Sequence, residues 1–320
     1  MGSMGSGAIL LSEPLLLSAR PYCAMGEPCG VSSTQRIPEV KRYFAVPPHG
    51  FHDASSLVAE IARLNGIDCT RFEDTFSLWN ELEAATIPAF WAAALQISKP
   101  GQQKSGVGAK AYFKPIRMAA AGLHLAAVVL ARAVSQVDPE AADYVRHEVL
   151  RRDRLRELFY VSVALRPDLQ IETYWDCEET TPFTPRQLGN LAMDAFNIPE
   201  IAVRAMTVAQ AATRRGFLCD HASGNLWPAD SREFTLALSV GGAVKREVSR
   251  SQTRHIHLDL IRALSAMEGS DTPVPENESD IIIYPELEPS VIAVKIAENQ
   301  GRVRHKILFE EIDPAFPALL

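Results

Sequence analysis

The chain has 320 residues, 47% of them hydrophobic and 22% charged, a globular composition that excludes disorder as a global description. Its formal net charge of −7 weighs against a dedicated nucleic-acid binder, whose electrostatic footprint is basic. The 5 cysteines (Cys23, Cys29, Cys69, Cys177 and Cys219) form no Cys-x-x-Cys and read as free thiols of a cytoplasmic protein.

Residues 1–7 repeat Met-Gly-Ser and are set aside. The apolar residues of 8–17 are interrupted by Ser12, Glu13 and Pro14, a poor secretory signal. Residues 1–40 read as an extended arm, because the prolines, serines and glycines of 18–40 show no periodicity. A strand over 41–47 ends at Pro47-Pro48. Asp53 caps a helix over 54–65, Gly66 stops it, and a strand over 67–72 completes a β-α-β outline. That outline resembles a Rossmann-type half unit, without the glycine fingerprint. His49 and His52 follow its first strand, where α/β proteins place ligand-binding loops, and are candidate ligand-binding residues.

A helix over 75–97, divided at Pro88, leads into a glycine-bearing loop over 99–114. The stretch 116–160 then reads as two antiparallel helices. The apolar run 116–137 is broken at Asp138, which caps the second helix with Pro139 at its first position. Arg117, His124 and Arg132 fall inside the run, so it reads as a buried core helix and not as a membrane span. In the second helix Tyr144, Val145, Val149, Leu155, Leu158 and Phe159 form the buried side. The other side carries Arg146, Arg151, Arg152, Arg154 and Arg156 among Glu148, Asp153 and Glu157, a solvated self-paired face.

Strand character over 161–174 gives way to an acidic loop over 176–184. Thr184 caps a helix that starts at Pro185 and runs to 196, and a helix over 198–215 ends at Gly216. Residues 217–230 read as a loop holding Cys219, Asp220, His221 and Trp227. Over 233–240, Phe234, Leu236, Leu238 and Val240 alternate with Thr235, Ala237 and Ser239, the pattern of a half-buried strand. Gly241-Gly242 turns the chain toward a hairpin partner over 243–249. A helix over 254–267, a linker over 269–278 and strands over 280–284, 290–296 and 302–309 complete the chain, with no visible internal repeat. The expected fold is helix-rich α+β: a central antiparallel helix pair packed against a small mixed sheet, with C-terminal antiparallel strands. Its regions are 1–40, 41–216 and 217–320.

Four patterns carry a chemical rationale. His255-Ile256-His257 with Asp259 is a candidate metal set, with zinc as the alternative to no cofactor. With Ser265 and Glu268 downstream it resembles the His-x-His, Ser, acid order of zinc isopeptidases. On a helix, however, the two histidines diverge by about 200°. Arg250 and His255, like Arg117 and His124, resemble the arginine–histidine pair of helical ribonucleases, which makes Arg250 and His255 candidate catalytic residues. Asp280 and Lys295 resemble the strands of restriction-type nucleases, but Ala293 stands where a metal-binding glutamate is needed. Cys219 and His221 place a thiol near an imidazole. Ser223-Gly224 lacks a nucleophile elbow, and Val107 after Gly106 defeats a phosphate-loop signature.

None of these resemblances extends beyond a few residues, and each breaks at a named position. The sequence therefore reads as a binding or assembly component without its own catalysis. It would meet a protein partner, or itself, through arginine and tryptophan surface (Trp79, Trp91, Trp175, Trp227). The alternatives are a hydrolase, zinc-dependent through His255 and His257 or a ribonuclease through Arg250 and His255, and a small-molecule sensor built on the N-terminal unit.

Overall fold

The computed structural model describes residues 29–33, 38–46, 91–97, 108–113, 120–156, 158–165, 169–177, 181–241, 250–267, 287–298 and 303–311. Strands β1 (Cys29–Ser33), β2 (Pro38–Val46), β3 (Trp91–Ile97) and β4 (Gly108–Phe113) come first. Helices α1 (Ala120–Ser135) and α2 (Ala142–Leu155) follow, joined through a 3-10 turn at Pro139–Ala141. Then come β5 (Leu158–Leu165), β6 (Leu169–Asp176), α3 (Pro185–Phe196) and α4 (Pro199–Thr213). The remaining elements are β7 (Phe217–Trp227), β8 (Glu233–Val240), α5 (Arg250–Ser265), β9 (Leu287–Ala297) and β10 (Val303–Glu311).

Every described strand pairs antiparallel with its neighbours in sequence, and β1 also pairs with β10, so the ten strands close into a barrel. Closure leaves no unpaired edge. The helices pack on the outside, α2, α3 and α4 against β7 and α5 against β9 and β10. The α+β reading with antiparallel strands therefore holds. The small mixed sheet is corrected: one antiparallel barrel draws strands from all three sequence regions, including Cys29–Ser33 of the expected arm. The neighbours of β2 in the sheet are β1 and β3, and residues 51–72, with the rest of the β-α-β outline, lie outside the described residues.

The helix signals are realised atom by atom. The Asp138 carboxylate accepts from the Glu140 amide at 3.1 Å, with Pro139 next in line. Thr184 and Gln187 form a reciprocal capping box at the start of α3. Gly216, at φ 80°, supplies the left-handed residue that ends α4. Helix α1 buries Ala127, Val129, Leu130 and Val134 and packs along α2, so the expected helix pair forms, but on the outside of the barrel and not at the centre of the fold. Among the described residues no helix is long and apolar enough to cross a membrane.

The outward face of the barrel is apolar because the helices cover it. Val161 and Val163 on β5, Ile171 and Trp175 on β6, and Phe234, Leu236 and Leu238 on β8 are all buried, as are Ile292, Val294 and Ile296 on β9. Complete burial of each such side chain contributes about 1.5–3 kcal/mol. Strand β7 corrects the loop expected over 217–230, and its bulge explains the difference. Phe217 and Cys219 point outward before the register shift between Cys219 and His221; Ala222, Gly224 and Leu226 do so after it. One inserted residue breaks the period of two, so the sequence shows no alternation. Strands β3 and β4 likewise replace the end of the expected helix over 75–97 and part of the loop over 99–114.

Gly224 on β7 sits close against Phe196 of α3 and Trp175 of β6. A Cβ there would stand 3.1 Å from Phe196 Cζ and 3.2 Å from two ring atoms of Trp175. Both rings are packed in the core, so Gly224→Ala is expected to lower stability by about 1–3 kcal/mol through overpacking. Denaturant unfolding measures this, and an unchanged midpoint would show that the aromatic pair yields freely.

Candidate active site in the barrel lumen

Because alternate residues of a strand point to opposite faces, the residues between the outward apolar ones face the lumen. These are Ser162 on β5, Glu172 and Tyr174 on β6, Ser223 and Asn225 on β7, Thr235 and Ser239 on β8, and Lys295 on β9. Ala237 and Ala293 also stand between outward residues; each of the others just named bears a hydrogen-bonding group, and that is the chemical contrast with the outward face. Register brings them side by side. Ser162 lies opposite Glu172, and Glu172 opposite Asn225. A second row runs from Tyr174 through Ser223 and Thr235 to Lys295, whose partner on β10 is Arg304. The Tyr174 hydroxyl donates to the Glu172 carboxylate and accepts from Ser162 Oγ at 3.4 Å. Lys295 donates to Glu233.

At the end of the lumen where β7 begins, Asp176 is the register partner of His221, and His221 in turn lies opposite Ala237. Asp220, the extra residue of the bulge, accepts a hydrogen bond from Ser239 Oγ. Burial holds the His221 imidazole below its ordinary pKa, against the opposing pull of the Asp176 and Asp220 carboxylates. The ring is therefore neutral at pH 7.

Cys219 lies on the other face of β7. It is buried against the helices, its thiol donates to the His221 carbonyl at 3.4 Å, and burial raises its pKa. The thiol–imidazole pairing suggested by the spacing is corrected, because the two side chains stand on opposite sides of the sheet.

The histidines of α5 do not converge either. His255 is exposed, whereas His257 is buried edge-to-face on Phe217 with ring centroids 5.1 Å apart. Asp259 is paired with Arg215 at 2.7 Å. Arg250 opens the same helix, outside the barrel. Helical periodicity separates what a strand would have brought together, and among the described residues no group of three or more His, Cys, Asp or Glu could hold a metal ion. His124 is exposed on α1 and is not a core histidine. His49, His52 and Asp280 lie outside the described residues.

Parts of two expected surfaces turn out to be interior, although Arg146 and Arg154 are exposed as expected. Trp175 is fully buried and Trp227 half-buried. Arg152, placed by the sequence on a solvated face, is only 2% exposed. Its Nη1 donates to Thr173 Oγ1 and to the Gly224 carbonyl, both at 3.0 Å. Its Nε lies 3.4 Å from Glu148, and its guanidinium stacks 5.0 Å from the Phe196 ring centre. Burial lowers its pKa to about 10, which leaves it charged at neutral pH. A cleft of about 190 Å³, lined by Tyr144, Arg151, Arg152, Phe196 and Arg232 among others, opens beside it on the outside of the barrel.

The described strands thus form a closed antiparallel barrel with helices outside and hydrogen-bonding groups inside. Solved structures that share it are prenyltransferases. The 5-dimethylallyltryptophan synthase of Streptomyces coelicolor matches at 13% identity and TM-score 0.55, over 91% of this chain and 82% of that one. AnaPT from Neosartorya fischeri matches at 12% identity and TM-score 0.53, over 90% and 78%. The prenyltransferase PriB, solved with L-tryptophan and dimethylallyl thiolodiphosphate, matches at 13% identity and TM-score 0.52, over 89% and 80%. No protein-family model and no curated protein sequence matches the chain. At these identities the likeness establishes the fold. It overturns the expectation of a binding or assembly component without catalysis, and the hydrolase and nuclease alternatives with it, since the proteins that share the barrel are named for prenyl transfer.

Proposed function

We propose that this protein transfers a prenyl group from a prenyl diphosphate to an aromatic acceptor inside the barrel. The observation that carries the reading is the closed barrel, a fold similar over about nine-tenths of the chain to a 5-dimethylallyltryptophan synthase and to the prenyltransferase PriB. In the step envisaged, the allylic C–O bond breaks and its electron pair leaves on the diphosphate. The acceptor ring bonds to the allylic carbon and then loses a proton. Lys295 puts a cationic group on the lumen row that begins at Tyr174, as a diphosphate leaving group requires. Glu172, held by the Tyr174 hydroxyl, is an acceptor for an N–H or O–H of the aromatic substrate. A continuous wall of strands also keeps water from an allylic cation.

The test is to incubate the full chain with dimethylallyl diphosphate and, separately, L-tryptophan, L-tyrosine and indole. The expected result is diphosphate release coupled to an acceptor heavier by one dimethylallyl group in the mass spectrum. A folded protein that leaves every acceptor unmodified and releases no diphosphate would refute the proposal.

A further inference from the structure

The reaction proposed above must dispose of one proton, and the Glu172 carboxylate is already engaged, by the Tyr174 hydroxyl and, in that reading, by an N–H or O–H of the acceptor. The β7 bulge offers another group. A bulge re-aims side chains at the cost of a regular ladder, and here it sets Asp220 and His221 in succession at one end of the lumen. Asp176 lies opposite His221 on β6, and the residue opposite on β8 is the apolar Ala237, so the charged groups acting on the ring are Asp176 and Asp220. Asp220 is itself fixed by Ser239. A neutral, half-buried imidazole is free to accept a proton, and the carboxylates of Asp176 and Asp220 favour the cation against the burial that opposes it.

We infer that His221, flanked by Asp176 and Asp220 at the β7 bulge, takes up the proton that the aromatic acceptor loses on prenylation. The inference rests on the prenyl-transfer reading. The ring carbon donates an electron pair to the allylic carbon, and the C–O bond to the diphosphate breaks with its pair leaving on oxygen. The C–H pair then returns to the ring as its proton passes to an imidazole nitrogen. The imidazolium stands beside Asp176 and Asp220 and gives its proton to water after product release.

The experiment compares the full-length wild type with His221→Gln and His221→Ala, using dimethylallyl diphosphate and whichever acceptor the wild type prenylates. Turnover is expected to fall about 10²–10⁴-fold in both variants, with the KM for dimethylallyl diphosphate unchanged. Added imidazole should restore part of the His221→Ala rate. An acceptor deuterated at the reacting carbon should react more slowly in His221→Gln, because proton removal has become rate-limiting. His221→Gln keeps the side-chain volume and decides the matter if His221→Ala melts early. An active wild type with His221→Gln equally active overturns this inference alone. So does a folded His221→Ala whose lost rate imidazole does not restore. A wild type that prenylates nothing overturns the prenyl-transfer reading and this inference with it.

Discussion

Arg152→Ala is expected to lower the stability of the fold by about 3–5 kcal/mol, the loss that follows when one partner of a buried ion pair is removed. Arg152 joins three elements at once. From α2 it reaches Thr173 on β6 and the Gly224 carbonyl on β7, and it stacks on Phe196 of α3. Truncation leaves the Thr173 hydroxyl and the Gly224 carbonyl without that donor, and Glu148 without one of its two arginines. Burial alone would raise the Glu148 pKa, but Arg151 and Arg152 together hold it below 4.5. Its contribution to stability is therefore complete above pH 4.5 and is lost as pH falls through the lower folded value. In Arg152→Ala the folded Glu148 pKa moves back toward its unfolded value, so that acid-induced loss should be smaller and should end at higher pH. Urea unfolding across a pH series reads both effects; a variant within about 1 kcal/mol of the wild type would show the buried guanidinium to be dispensable.

Trp175→Ala carries an expected cost of about 3–5 kcal/mol, the transfer term for a large aromatic plus the cavity it leaves. The indole is fully buried on the outward face of β6, donates Nε1–H to the Arg152 carbonyl at 3.2 Å, and lies 6.4 Å from the Phe234 ring centre. Phe234 meets Phe196 edge-on, so one deletion loosens β6, β8 and α3 together. Calorimetric or chemical unfolding of Trp175→Ala, Arg152→Ala and the double variant tests the shared contacts. The double variant should lose less than the sum of the two, because neighbours in one network are not additive. Strict additivity would mean that the two residues stabilise separate parts of the barrel wall.

Both changes act on the outer layer, which shapes the lumen without lining it. Activity lost in them should track unfolding, whereas activity lost in His221→Gln should not.

Much of the helical layer was legible in advance. Asp138-Pro139, Thr184-Pro185 and Gly216 mark helix ends through local hydrogen bonds and local backbone geometry, which depend on a few adjacent residues. Strand β8 was legible for a similar reason, since its alternation survives unbroken from Phe234 to Val240. Strand β7 was not, because the Asp220 insertion breaks its period and polar lumen residues make it look like a loop. Arg152 departs from the expected solvated face in a different way, while Arg146 and Arg154 are exposed. Glu148 and Arg152 pair at the spacing their sequence implies, yet which side of α2 meets the barrel depends on where β6 and β7 lie. The candidate site in the lumen was not visible in the sequence because its members are contributed by separate strands. Glu172, Tyr174, Asp176, His221, Ser239 and Lys295 form no motif along the chain, while the conspicuous His255 and His257 lie on a helix outside the barrel.

Taken alone, the amino-acid order determined where helices start and stop and which residues are greasy enough to be covered, since those properties are local. Whether ten strands join into a ring, and which polar groups then share its interior, was decided only by pairing between distant segments such as β1 and β10. Hydrogen bonds between backbones carry no side-chain signature, so that closure cannot be read from residue types.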